Sequence, residues 1–219
     1  YSIFSETALV PSQLMGIDTI KFKKNILNFL NKKKSTLIKN LINLSKIYNS
    51  KKIISLILLN YCPGLEYFLL WCQQLIAESL GKTNKGFLPV VSNTPKDHHS
   101  LLQLYLEGPK DKIFNIFSVK KNSSEEIKIY NRTKIAGFLN KKKISKIKNA
   151  QNKALVKSFE KKNIPFREFK IKKMNEETLG ELFSFFMVET VIVGKLLGIN
   201  PFNQPAVEQV KVLTKKFLK

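Results

Sequence analysis

Apolar residues recur along the chain with two different periods, and these predict an alternation of helices and strands. From Ile20 to Tyr48 they recur every three or four positions, as on one face of a long helix. A run that alternates polar and apolar residues, PFREFKIKK at 165–173, predicts a half-buried strand. A β-branched apolar run of strand length, KKIISLILLNY at 51–61, is typical of a strand buried on both faces. FLPVVSN at 87–93 and KIFNIFSVKK at 112–121 predict two further strands.

Helical patterns fill the intervals between these strands. One helix is predicted from about Leu65 to a stop at Gly81, a short one ends at Gly108, and another covers 149–164. A core helix, apolar nearly all round, begins after Asn175 as its N-cap, and a closing helix begins at about Pro205. Strands that alternate with helices predict an α/β fold with a parallel sheet and helices on both faces.

The composition narrows the class of protein. At 219 residues and 43% hydrophobic content the chain can bury one good core, which argues against intrinsic disorder. Cys62 and Cys72 stand beside apolar or aromatic residues, which favours buried thiols over a disulfide or metal framework. The apolar runs are too short or too interrupted to span a bilayer, and no secretory segment opens the chain. We therefore expect a cytoplasmic protein.

The net charge of +22 raises the possibility of a nucleic-acid binder. The 38 basic residues, however, comprise 36 lysines and only two arginines, Arg132 and Arg167. Proteins that read phosphates and bases usually favour the arginine fork. The lysines are also scattered along the whole chain among many Asn and Ile residues, so a compositional bias with solvated lysine faces is the simpler interpretation.

The segment from 72 to 113 departs from this lysine-rich background and holds both histidines. Glu78 falls in the last turn of its predicted helix, where the negative end of the macrodipole makes a carboxylate a stronger base. His98 and His99 stand where a loop enters a helix, and no further ligands at metal spacing accompany them. The residues alone thus indicate a candidate acid–base site. A solvated glutamate and helix-capping histidines remain the open alternative.

Three segments of the chain resemble, in order, three motifs of the glucose-6-phosphate isomerases. AESLGK at 77–82 is similar to that family's E-S-x-G-K signature. TPKDHHSLLQLYLEGPKDK at 94–112 is similar to its H-S-x-x-Q-L segment, and GKLLGINPFNQPAVEQVKVL at 194–213 to its N-x-F-x-Q-x-x-V-E-x-x-K element. Three motifs at suitable spacing are far more specific than any one of them. The chain resembles the C-terminal half of such an enzyme.

The resemblance implies a fold and a division of the chain. The fold is a parallel-sheet, three-layer α/β/α sugar-isomerase domain of the flavodoxin-like kind, with additional N- and C-terminal helices. Residues 1–48 would be a helical segment leading from a missing first sugar-isomerase domain. Residues 49–174 would form the second such domain, and 175–219 a C-terminal helical arm that carries the active-site lysine.

The resemblance also implies roles for individual residues in interconverting glucose 6-phosphate and fructose 6-phosphate, without a metal or cofactor. Glu78 would be the base that moves a proton between C1 and C2 through a cis-enediol(ate). His99 would assist opening of the sugar ring, together with Lys211. Gln74 and Gln204 would contact the sugar, whereas His98 receives no role.

Some parts of the family pattern differ or are absent. Asn203, Ala206 and Val210 replace more usual residues around Lys211, and the family's arginine and phosphate-binding loops would precede Tyr1. We therefore expect the isolated chain to have little or no isomerase activity, and the complete enzyme to be a homodimer in which His99 serves the neighbouring subunit. The alternatives are a sugar-phosphate sensor without catalysis and, as a more remote one, a basic nucleic-acid binder.

Overall fold

The computed structural model describes residues 1–121, 127–130 and 134–218, and its centre is a parallel sheet of four strands. The order across the sheet is β2-β1-β3-β4. Each predicted strand is confirmed within a few residues: β1 Ser55–Asn60, β2 Leu88–Asn93, β3 Lys112–Lys121 and β4 Phe166–Lys173.

Nine α-helices are found in the described part of the chain, and several begin or end where the sequence predicts. The α8 helix begins after Asn175, whose side chain accepts a hydrogen bond from the Thr178 amide, and α4 ends one residue before Gly81. The helices are α1 Glu6–Leu14, α2 Thr19–Lys24, α3 Asn28–Ser50, α4 Glu66–Leu80, α5 Lys96–Ser100, α6 Leu102–Glu107, α7 Ile144–Lys161, α8 Glu176–Leu196 and α9 Pro205–Phe217.

Two apolar clusters lie on opposite faces of the sheet, because successive side chains of a strand point to opposite sides. Leu56 and Leu58 of β1 join a cluster with α3, α4 and α8, whereas Ile57 and Leu59 join one with α6 and α7. The predicted three-layer α/β/α architecture is therefore confirmed. Cys62 and Cys72 are free and buried in the first cluster, as predicted.

The N-terminal region differs from the sequence pattern in two places. The single helix predicted from Ile20 to Tyr48 is wrong: it is divided into α2 and α3 at residues 25–27, where Leu27 has a positive φ of 65°. Helix α1, which contains Pro11, was not predicted from its scattered apolar residues. The break lets α2 pack across α8, where a Cβ on Gly180 would lie 1.8 Å from the carbonyl oxygen of Phe22.

The division of the chain at residues 48 and 174 stays a prediction. The structure shows that α8 packs against the sheet in the same cluster as α3 and α4, whereas α9 buries none of its residues. No helix among the described residues is both long and apolar enough to cross a membrane.

A buried ion pair joins α8 to the edge strand β4. The Arg167 guanidinium donates two hydrogen bonds to the Glu189 carboxylate, at 2.6 and 3.0 Å, and a third to the side-chain oxygen of Asn115 on β3 at 3.0 Å. The side chains of Arg167 and Glu189 are only 17% and 5% exposed. The fork geometry of arginine suits this two-bond contact, which a lysine ammonium could not reproduce.

We predict that Glu189→Gln lowers the free energy of unfolding by about 3–5 kcal/mol, because it leaves the Arg167 charge buried without a partner. The double variant Arg167→Met/Glu189→Leu should lose less than the sum of its single substitutions. Urea denaturation of five proteins measures both quantities: the wild type, Glu189→Gln, Arg167→Met, Glu189→Leu and the double variant. Glu160→Gln is the matched control, since it breaks the solvent-exposed Lys157–Glu160 pair and should cost less than about 1 kcal/mol. Additive single substitutions would contradict the coupling.

Candidate active site

Glu78 lies in the last turn of α4, on an exposed face next to Gln74. Positions four apart on a helix are neighbours on its surface, and the Gln74 amide donates a hydrogen bond of 3.0 Å to Oε1 of Glu78. The opposite side of α4 is buried and includes Leu75, Ile76 and Leu80. The sheet and α8 therefore pack against the buried side of α4, and the Glu78 carboxylate on its other side is exposed to solvent.

The second oxygen of this carboxylate is bonded from a distant part of the chain. The amide of Gln204, the residue immediately before α9, donates a hydrogen bond of 2.7 Å to Oε2 of Glu78. Gln204 reaches this place because α8 is followed by Gly198, whose φ of +67° reverses the chain direction, and Pro201 then packs on Gly194. The two glutamines thus hold Glu78 from both sides, and three of the five predicted site residues meet at one point.

The loop between α8 and α9 is held by residues to which we assigned no role, namely Ser79 and Lys82 of the first motif and Tyr1, which lies outside the motifs. Lys82 donates hydrogen bonds to the carbonyl oxygens of Ser79, at 3.0 Å, and Asn200, at 2.7 Å. The Tyr1 hydroxyl donates to Ser79 Oγ at 3.0 Å, and its ring lies 5.2 Å from that of Phe202. In the sequence, the spacing of Ser79 and Lys82 after Glu78 in the first motif was the signal that these residues have a role. Only the fold shows that these side chains hold the loop.

Lys211 lies seven residues after Gln204 on α9, about 10 Å further along the helix axis. Its ammonium donates a hydrogen bond of 2.6 Å to Glu208 on the same helix, and its side chain is 60% exposed. The structure therefore places Lys211 on the helix that begins at the Glu78 cluster, but without contact to Glu78. Several apolar side chains of α9 are exposed as well, among them Val207, Val210 and Leu213.

His99 lies at the opposite edge of the sheet from Glu78. Helix α4 follows the carboxyl end of β1 and returns to the side where β2 begins, so Glu78 is near the amino ends of the strands. Helix α5, which carries His99, follows the carboxyl end of β2, and a strand of six residues separates the two edges by about 20 Å. Within one chain, Glu78 and His99 do not meet.

A network of polar contacts holds α5 at this edge. Asp97 Oδ2 accepts hydrogen bonds from the Ser92 hydroxyl, at 2.9 Å, and the Asn93 amide, at 2.8 Å. A hydrogen bond of 2.7 Å joins the Tyr61 hydroxyl to His98 Nε2, and the two rings meet edge to face. Because His98 is anchored inward, its neighbour His99 faces solvent.

Burial lowers the pKa of His98, although the charge of Asp97 partly opposes this effect. Burial also raises the pKa of Tyr61, so the hydroxyl keeps its proton. The Tyr61 hydroxyl donates to Nε2 when the neutral imidazole carries its proton on Nδ1, and on protonation of His98 the direction of this bond reverses, because a phenol oxygen also accepts hydrogen bonds. As for metals, no group of three or more His, Cys, Asp or Glu side chains that could hold an ion occurs among the residues described.

Comparison with known proteins extends these observations. No family model matches the chain. A glucose-6-phosphate isomerase of Methanocaldococcus jannaschii is 32% identical over 230 aligned positions, which include 100% of this chain and 55% of the relative. One of Mycoplasmopsis synoviae is 37% identical over 170 positions, 75% of this chain and 39% of the relative.

This chain belongs to the glucose-6-phosphate isomerase family. It spans about half the length, or less, of the curated relatives it matches, which is consistent with the C-terminal half that the motifs predict.

Two solved structures resemble this isomerase-family fold. A hypothetical protein of Thermus thermophilus superimposes with a TM-score of 0.85 at 25% identity, over 98% of this chain and 54% of that one. A glucose-6-phosphate isomerase of Chlamydia trachomatis superimposes with a TM-score of 0.63 at 19% identity, over 75% of this chain and 34% of that one. The second likeness supports the fold alone.

We predict that His98 makes the chain less stable in mild acid. Because its pKa is lowered on folding, the unfolded chain binds the proton more readily. The free energy of unfolding should therefore fall as the pH decreases from about 7.5 through the ordinary histidine pKa near 6.5. In His98→Gln this fall should be smaller, as measured by urea denaturation at pH 7.5 and 5.5. His99→Gln is the control, because its imidazole is exposed. An equal effect of both substitutions would contradict the assignment.

Proposed function

We propose that this chain forms the C-terminal half of a glucose-6-phosphate isomerase and works in the cytoplasm together with a first sugar-isomerase domain. The enzyme would interconvert glucose 6-phosphate and fructose 6-phosphate in glycolysis and gluconeogenesis. The observation that carries this proposal is the exposed Glu78 carboxylate held between the amides of Gln74 and Gln204. Family membership and the order of the three motifs support it.

Glu78 would be the base of the reaction. Each carboxylate oxygen can accept two hydrogen bonds, so both oxygens keep a free lone pair after the glutamine contacts are made. Such a base can take a proton from one carbon of the open-chain sugar and return it to the next, through a cis-enediol(ate). The two amides would fix the direction of the carboxylate and contact the sugar. This proton transfer requires no metal ion.

Ring opening would be the task of His99 and Lys211. Histidine can donate and accept a proton near neutral pH, which suits transfer at the ring oxygen. Because Glu78 and His99 lie at opposite edges of the sheet, one chain cannot bring both to the same sugar. We therefore propose a homodimer in which His99 serves the site of the neighbouring subunit. Lys211 would act from the exposed helix α9 once that site is complete.

A sugar-phosphate sensor without catalysis is the second candidate, since it would need the same fold. Such a sensor would have no need of Glu78, His99 and Lys211 together. A nucleic-acid binder would need its lysines on one face, whereas here they are spread along the whole sequence.

The decisive experiment is proton exchange at C2 of glucose 6-phosphate in deuterated water, catalysed by the full-length enzyme. We predict that Glu78→Gln lowers the exchange rate and kcat by about 10²–10⁴-fold, because the amide cannot accept the proton. Glu6→Gln is the matched control, because it makes the same chemical change at an exposed carboxylate of α1, outside the three motifs. The 219-residue chain alone should show no turnover. Exchange at the wild-type rate in Glu78→Gln would contradict the role of the base.

Complementation tests the transfer of His99 between subunits. Full-length Glu78→Gln and His99→Ala proteins should each be nearly inactive. After mixing and subunit exchange, half of the dimers are mixed, and each mixed dimer has one intact site. The expected activity is therefore about a quarter of that of wild type. If mixed dimers form but no activity returns, the two residues do not serve the same site in this way.

A further inference from the structure

Residues 53–81 form the longest stretch of this chain without a lysine or an arginine, although the chain carries 38 basic residues. The stretch contains β1 and the whole of α4. The solvent-facing side of α4 has two carboxylates near its ends, Glu66 and Glu78, and only uncharged side chains between them. One helix face therefore lacks cations on a chain whose net charge is +22.

The middle of this helix face exposes apolar surface. Tyr67 is 86% exposed and Leu70 is 46% exposed, and the helical spacing puts both on the same side of α4 as Gln74 and Glu78. Beside them, the half-buried ring of Trp71 packs on a phenylalanine of α8, which fixes the helix against the core. Aromatic and apolar side chains exposed together on a rigid element are typical of the centre of a protein–protein interface.

The start of α4 lies beside the helix that carries His99. Asn93, the last residue of β2, donates a hydrogen bond of 2.9 Å from its side chain to Glu66, and its backbone amide donates one of 2.8 Å to Asp97 of α5. Glu78 lies at the other end of α4, about 18 Å further along the helix axis. The apolar middle of α4 therefore lies between the edge that carries His99 and the Glu78 cluster.

We propose that the exposed face of α4 packs against the same face of a second copy of this chain, antiparallel and around a two-fold axis near Leu70 and Gln74. In such a dimer the start of each α4 lies beside the end of the other. The α5 helix of each copy, with His99, then approaches Glu78 of the neighbouring subunit. This inference rests on the proposed homodimer and names the surface that forms it.

The charge of the chain favours a second copy as the occupant of this face. Two copies with a net charge of +22 each repel one another, and a two-fold contact places each group near its own counterpart. A face with lysines would bring ammonium groups together, whereas the middle of α4 brings together only uncharged side chains. A contact with a different surface, such as that of the proposed first domain, could pair lysines with carboxylates and would need no such exclusion.

The size of the contact determines what else takes part. A stable dimer buries about 800 Å² on each partner, which is more than one helix face offers. The α4 face would therefore be the centre of the interface, and α5 would belong to its rim.

Cross-linking at the axis is the first test, because only a residue near a two-fold axis meets its own counterpart. Full-length Leu70→Cys should form a covalent dimer with a short bismaleimide, as measured by denaturing gel electrophoresis. The native Cys62 and Cys72 are buried, and the wild-type enzyme measures cross-linking through any other cysteine. Ile144→Cys is the matched control, since Ile144 is 40% exposed and lies on α7, on the other face of the sheet.

Charge at the axis is the second test. Full-length Leu70→Lys should raise the dissociation constant of the dimer about 100-fold or more, because it places two ammonium groups next to each other. Ile144→Lys should change this constant less than twofold. Sedimentation equilibrium measures both, and circular dichroism checks that each variant is folded. If each site needs both copies, the specific activity of Leu70→Lys should also fall on dilution and recover at high protein concentration.

The outcomes separate this inference from the proposed function. A dimer that persists in Leu70→Lys, without a cross-link through Leu70→Cys, would overturn the α4 interface and leave complementation between Glu78 and His99 variants intact. Equal cross-linking through Ile144→Cys would show random collision and would overturn it as well. A monomeric wild-type enzyme would overturn both the interface and the homodimer. If Leu70→Cys in that monomer were also protected from a simple maleimide, the first domain would be the occupant instead.

Discussion

The buried pair of Arg167 and Glu189 determines how α8 lies on the sheet, and the remainder of the structure depends on that helix. A helix that is apolar nearly all round could bury any of several faces equally well. The carboxylate of Glu189 removes this freedom, because it must lie against Arg167, whose guanidinium is the only one that the described residues place in the interior. The rotation of α8 then determines where α2, α3 and α4 pack and where Gly198 turns the chain toward Gln204. Through the orientation of α8, the Arg167–Glu189 ion pair therefore also affects where Gln204 contacts Glu78.

Lysine and arginine have separate tasks in this chain. No described lysine side chain is buried, whereas Arg167 is almost enclosed and binds two side chains at once. The difference follows from chemistry, since an ammonium group is strongly hydrated and a guanidinium is planar and weakly hydrated. A sequence can therefore carry 36 lysines on its surface without disturbing the core.

The two edges of the sheet carry different parts of the candidate chemistry. The amino edge presents Glu78 with its two glutamines and the start of α9, and the carboxyl edge presents His99 on a well-anchored α5. A parallel sheet imposes this separation, because a helix that follows a strand returns to the opposite edge before the next strand begins. Under the proposed function, such a domain contributes residues to two different sites. That agrees with a chain that spans about half the length, or less, of its relatives.

The sequence by itself determined the features that depend on neighbouring residues. Apolar segments of strand length predict β1, β2 and β3, Asn175 marks the start of α8, and the four-residue spacing of Gln74 and Glu78 puts both on one face of α4. The break at Leu27 was missed, because Ile26 and Leu27 continue the helical period and no glycine or proline marks the turn. Only the tertiary structure decided which residues meet across long distances in the chain, such as Glu78 with Gln204 and Arg167 with Glu189. The physical reason is that short-range patterns report the burial of a side chain, whereas its partner is chosen by how whole helices and strands pack.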